Sequence, residues 1–199
     1  MNLLAACKQK KTLEALQLLA AGANPNIASK AGETPLHWAV INSDAKLVRA
    51  LLEAGADPNV STQSKKAVGR GAGKATPLHF AASRANIEIV DRLLEAGADP
   101  RVIDATGFSV LHAAVYSPEL AVLRKLVEAG ADPNDGSLAL AVRDGSLDAV
   151  CELLSVGASP HGNGGDFPPL RMAYACNKTE VAKVLIAAGA RWPDDAGQK

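Results

Sequence analysis

Gly32-Glu-Thr-Pro-Leu-His-Trp-Ala39, continued by Leu47-Val-Arg-Ala-Leu-Leu52 and closed by Gly55-Ala-Asp-Pro-Asn59, is the stretch that decides the fold. Thr34 precedes a proline, so its hydroxyl is placed to accept an orphan N–H while Pro35 takes the first helical position, where a missing donor costs nothing. A helix therefore opens at a defined residue. Leu36 and Ala39 lie three apart on one face of it, and the small alanine permits close approach of a neighbouring helix. The run from Leu47 is amphipathic at helical period, and Gly55 suits a left-handed C-terminal cap. Two helices of about ten residues are each too short to persist alone in water.

The same block recurs. Gly22, Gly55, Gly97, Gly130, Gly157 and Gly189 each follow a leucine by nineteen positions, the leucines being Leu3, Leu36, Leu78, Leu111, Leu138 and Leu170. From each glycine to the next leucine the distance is 14, 23, 14, 8 and 13 positions. Blocks of constant length are packed structure and variable connections are loops, so stacking of successive units must supply the core. The fold class is all-α.

With Thr-Pro-Leu-His at 34–37 and 76–79, leucine-rich second helices and repeated Gly-Ala-Asp-Pro endings, the chain resembles the ankyrin repeat family. That resemblance implies an α-solenoid of six helix pairs joined by hairpin-like fingers, whose finger tips and first helices line a concave surface that usually binds protein. One domain is expected over 1–193, with copies at about 2–25, 26–58, 59–100, 101–133, 134–160 and 161–193, and a tail at 194–199. Five departures stand out. The first copy lacks a finger and carries Lys8, Lys10 and Lys11, as a solvent-facing cap does. An elongated finger spans about 61–75. A truncated connection, 131–137, should leave a notch. The Thr-Pro-Leu-His signature becomes Gly136-Ser-Leu-Ala139 and Pro168-Pro-Leu-Arg171, and Pro118 stands at an inter-helix turn where positive φ is forbidden to it.

Twenty-one basic and twenty-one acidic residues cancel, which argues against a globally basic nucleic-acid binder. No apolar run reaches the length of a membrane span, and Lys8, Lys10 and Lys11 follow the short apolar start directly, so a membrane partner is not expected and residence in the cytoplasm is. The three cysteines, Cys7, Cys151 and Cys176, form no Cys-x-x-Cys pair and suggest neither a disulfide framework nor a zinc site. His37, His79 and His112 occupy one slot of successive copies, a pattern that points to structural hydrogen bonds rather than to a shared metal. Gly69-Arg-Gly-Ala-Gly-Lys74 fails the spacing of a phosphate loop. No cofactor, metal site or catalytic residue is expected.

The partner-binding set predicted from the repeat register is Lys30, Glu33, Ile41, Asn42, Arg84, Thr106, Phe108, Tyr116, Ser117, Arg143 and Phe167. Lys65, Lys66, Arg70 and Lys74 of the elongated finger are candidate basic contacts. Trp38, Phe80, Ala113, Leu140 and Met172 share a slot that faces the core, whereas Phe108, Tyr116 and Phe167 are rings at wet positions, where aromatic anchors are found. The expected activity is binding of a partner protein as a stand-alone inhibitor, adaptor or immunity-type protein, monomeric when unbound. The alternatives are a structural or stability protein without a defined macromolecular ligand, and a nucleotide or phosphate binder through the Gly/Lys-rich loop.

Overall fold

The computed structural model describes residues 2–63, 73–84, 86–163 and 168–192. Among them are twelve helices: α1 (Leu3–Lys8), α2 (Thr12–Ala20), α3 (Pro35–Ile41), α4 (Ala45–Glu53), α5 (Pro77–Ser83), α6 (Ile87–Glu95), α7 (Val110–Val115), α8 (Ala121–Glu128), α9 (Ser137–Asp144), α10 (Leu147–Ser155), α11 (Pro169–Ala175) and α12 (Thr179–Ala187). Every block of constant length is thus a pair of short helices. The chain falls into two compact units, Met1–Val122 and Leu123–Lys199.

In the first unit α1, α3, α5 and α7 pack in succession, while α2, α4 and α6 form a second layer against them. The repeat leucines Leu36, Leu78 and Leu111 are fully buried, as are Leu51 and Leu93 of the outer layer. At about 25 cal/mol per Å² of apolar surface this burial is what compensates helices too short to stand alone. In the second unit α9 packs on α10 and α11, and α12 on α10 and α11, with Leu153 and Leu185 fully buried.

The ends of the helices follow local chemistry. At α3, Thr34 Oγ1 accepts from the His37 N–H and His37 Nδ1 accepts in turn from the Thr34 N–H at 3.2 Å, a reciprocal capping box. Ser109 and His112 repeat it at α7. In α9 and α11, where the signature has changed, Gly136 and Pro168 stand at the cap and no side chain caps the helix. Gly55 at the end of α4 has φ +84, and the Ala56 N–H closes on the Leu51 carbonyl, the left-handed ending expected of it.

The inter-helix turns take the left-handed conformation with or without glycine. Lys10, Ser43 and Asn177 take positive φ of 58°, 56° and 55° in the slot that Gly145 fills at 77°. Pro118 avoids that geometry. There the Ser117 hydroxyl bridges the turn, accepting from the Glu119 N–H and donating to the Glu119 carbonyl.

Fingers are organised from one polar residue seven positions after each repeat glycine: Ser29, Thr62 and Asp104. Ser29 Oγ accepts from the N–H groups of Ala31 and Glu33, and Thr62 Oγ1 from that of Ala75. Asp104 Oδ1 accepts from the N–H groups of Thr106 and Phe108 and from the Thr106 hydroxyl. Adjacent fingers are then joined by main chain, the Gln63 N–H donating to the Ala31 carbonyl and the Ala105 N–H to that of Gly73. The extra residues of the elongated finger enter after Thr62, whose N–H meets the Ala75 carbonyl and closes the base of the insertion.

Candidate functional site

The residues expected on the binding face divide by what their polar atoms already do. Lys30, Arg84, Thr106 and Arg143 are exposed, as is Lys74. Glu33 is not a surface contact: only 7% of it is exposed, and it accepts from the Ser29 hydroxyl at 3.3 Å inside its own finger. Ser117, likewise 7% exposed, belongs to the Pro118 turn. Asn42 is half-buried and spends its Nδ2 on the Cys7 carbonyl at 2.8 Å, tying the second copy to the first. Ile41 is half-buried. The Thr106 hydroxyl is committed to Asp104 at 2.6 Å, and Arg143 Nε to the neighbouring Asp144 at 2.9 Å. Phe167, Lys65, Lys66 and Arg70 lie outside the described residues.

Phe108 and Tyr116 remain as large exposed rings, at 38% and 53%. The Phe108 backbone is fixed on both sides. Its N–H donates to Asp104 Oδ1 at 3.0 Å, and its carbonyl accepts from His79 Nε2 at 3.3 Å. The ring lies on His112, with centroids 5.0 Å apart. His112 and Tyr116 are four residues apart, one turn along the same helical face. Finger tip, histidine and helix end thus form one strip along α7.

The histidines are structural links. His37 Nε2 reaches the Ala75 carbonyl and His79 Nε2 the Phe108 carbonyl, each from a first helix to the next finger. Since Nδ1 accepts from the capping residue, Nε2 carries the hydrogen and donates. Burial lowers the pKa of His37 to about 4, only partly offset by the Ala75 carbonyl and Glu33. His79 is lowered for the same first reason, against the Phe108 carbonyl and Asp104. At Asp104 burial alone raises the pKa, and the hydrogen bonds from Thr106 and Phe108, with the nearby His79, outweigh it so that the net shift is downward. Cys7 is buried, which pushes its thiol up to about 11, with Asp44 adding to the effect.

Of the shared core slot, Trp38, Phe80 and Leu140 are buried and Ala113 and Met172 half-buried. Sequence reasoning missed Lys8. It occupies the slot of Ile41, Ser83 and Tyr116, five residues after the repeat leucine, and its Nζ lies 5.1 Å from the Trp38 ring centroid. The shared slot was the available signal. Beside the truncated connection, in the second unit, a shallow cleft is lined by Pro133, Asn134, Leu138, His161, Pro168 and Pro169. Among the described residues no group of three His, Cys, Asp or Glu side chains is arranged to hold a metal ion, and no helix is long and apolar enough to cross a membrane.

A family profile of ankyrin repeats in three copies matches residues 2–62 and 62–137. The crystal structure of the human ASB11 ankyrin repeat domain superposes with a TM-score of 0.80 at 26% identity, covering 97% of this chain and 86% of that one. A Drosophila melanogaster protein, the transient receptor potential channel pyrexia, is 49% identical over 37 residues, 19% of this chain. The chain spans only 4% of that channel's length.

Proposed function

Since the chain belongs to the ankyrin repeat family, we propose that it acts by binding a partner protein on the finger tips and first-helix ends of its repeats, as an inhibitor, adaptor or immunity-type protein. Ankyrin repeats are in general protein-interaction modules and a non-catalytic scaffold. The observation that carries the reading is the Phe108–Tyr116 strip. An exposed ring whose backbone is held by Asp104 and His79 loses little freedom on binding, and aromatic side chains are enriched in interfaces, where a few residues carry most of the energy.

The test is affinity capture on the full chain, comparing wild type with Phe108→Ala, Tyr116→Ala and the outer-layer control Glu53→Ala. A partner retained by wild type and control should weaken about 30-fold on either ring variant, the hot-spot magnitude of about 2 kcal/mol. Far-UV circular dichroism checks that the helices persist. Equal retention of every captured protein by all four forms defeats the assignment.

A further inference from the structure

The chain carries no net charge, yet within the first unit its charges are sorted by layer. On the fingers, the first helices and the residue that caps α5, Lys8, Lys30, Lys74 and Arg84 are exposed, and none forms an ion pair with a described residue. The acids of that face, Glu33 and Asp104, are buried at 7% and 9% exposure and are consumed by finger hydrogen bonds. Exposed carboxylates gather instead on the outer layer and the turns that follow it, at Glu53, Asp57, Glu88, Glu95 and Asp99, with Glu119 on the turn after α7 the exception among the described residues of the unit. There Arg49 and Arg92 pair with Glu53 and Glu88. Lys8, Ile41, Ser83 and Tyr116 hold the same slot at the C-terminal ends of α1, α3, α5 and α7, which pack in that order, with Arg84 directly after Ser83. A row therefore runs from Lys8 at one end, past Arg84, to the Phe108 and Tyr116 rings at the other.

Building on the interaction reading above, we propose that this row binds an extended acidic segment of a partner protein, carboxylates toward Lys8, Lys30, Lys74 and Arg84 and one apolar side chain against Phe108 and Tyr116. Three helix-to-helix steps of about 9 Å make roughly 27 Å, which an extended chain rising about 3.3 Å per residue spans in about eight residues. Complementary charge selects the ligand class and speeds encounter, and the rings fix the register. Single-stranded nucleic acid also presents negative charge, but the sites that take it interleave aromatics with cations along the whole groove. Here the rings are confined to one end.

The experiment is selection of a random nine-residue peptide display library on the immobilised full chain, followed by fluorescence anisotropy of the enriched peptides. Enrichment of Asp and Glu with one aromatic or aliphatic position is expected. Binding should weaken at least about tenfold in Lys8→Glu/Arg84→Glu, fall as NaCl is raised from about 20 to 200 mM, and stay unchanged in Lys46→Glu/Arg49→Glu, which alters net charge equally on the outer layer. Should the first double variant lose helicity, Lys8→Gln/Arg84→Gln takes its place. Enriched peptides without an acidic excess, equal weakening by both double variants, or tighter binding of a uridine nonamer RNA than of any selected peptide would each overturn the proposal. Absence of acidic preference while Phe108→Ala still releases a captured partner sinks this inference alone. Retention of that partner by Phe108→Ala sinks the interaction face itself.

Discussion

Acidification should destabilise the first unit through His37. The ring is fully buried, its Nδ1 accepts from the Thr34 N–H, and its Nε2–H donates to the Ala75 carbonyl. A proton added at Nδ1 would place a donor against the Thr34 N–H and a charge in a site closed to solvent. The imidazole pKa accordingly falls from the ordinary 6.5 to about 4. Between those values the unfolded chain binds a proton that the folded chain refuses, so stability rises with pH across that interval. The contribution is fully present above pH 6.5 and is lost as pH falls toward 4. A drop of that size corresponds to about 3 kcal/mol at about 1.4 kcal/mol per tenfold, of which about 2.5 kcal/mol is gone by pH 4.5. His79, lowered by burial too, adds in the same direction. Asp104 acts with the same sign in a lower window: its carboxyl is held below 3.8, so its contribution is lost only as pH falls beneath that value. The assay is urea unfolding at pH 7.5, 6.5, 5.5 and 4.5 in a Trp192→Phe background, which leaves Trp38 of α3 as the sole tryptophan. His37→Gln preserves the capping box, because glutamine supplies the acceptor that the third helical position requires. It should flatten the curve between pH 6.5 and 4.5 while costing about 1 kcal/mol at pH 7.5 for the lost bond to Ala75. A slope as steep in His37→Gln as in the parent, or stability that grows on acidification, refutes the reasoning.

Three further outcomes are expected. Gly32→Ala should cost about 2 kcal/mol in urea unfolding, because φ is +78 and a Cβ would stand 2.8 Å from the Gln63 nitrogen, whereas Gly22→Ala, at φ +83 with nothing within 4 Å, should cost about 1 kcal/mol. Asn59→Ala removes both the 2.9 Å bond from Nδ2 to the Gly97 carbonyl and the 2.8 Å bond from the Asp99 N–H to Oδ1, and should lower stability by about 1 kcal/mol in the same measurement. In a thiol titration with Ellman's reagent, Cys151, which is exposed, should react first and half-buried Cys176 more slowly, with Cys7 reacting only after urea is added.

What could be read from the chain and what could not divide along the range of the interaction. The capping of α3 by Thr34 and the left-handed endings are decided within a few residues, so they stand in the sequence as fixed spacings. Where the same job is done by different residue types the signal fades. Ser29, Thr62 and Asp104 organise three fingers from one slot, yet only their shared distance from the repeat glycine relates them, and the insertion after Thr62 hides even that from a count backward from Leu78. Lys10, Ser43 and Asn177 adopt the left-handed turn without glycine, a strain that flanking helices impose and no propensity announces. Glu33 and Ser117 mislead for a further reason: a polar residue on a finger or turn looks like a surface contact until the hydroxyl or N–H that buries it is located. The charge of the face has the same origin. Lys8, Lys30, Lys74 and Arg84 dominate it because Glu33 and Asp104 have been withdrawn into finger hydrogen bonds. Freeing one of those acids should therefore weaken an acidic ligand without touching a single cation. Thr106→Ala removes one donor from Asp104 and leaves the two backbone N–H groups in place. A modest loss of acidic-peptide affinity in that variant, erased by Asp104→Asn, would trace the selectivity of the face to the folding of its fingers. Unchanged affinity in Thr106→Ala would show that the cations act alone.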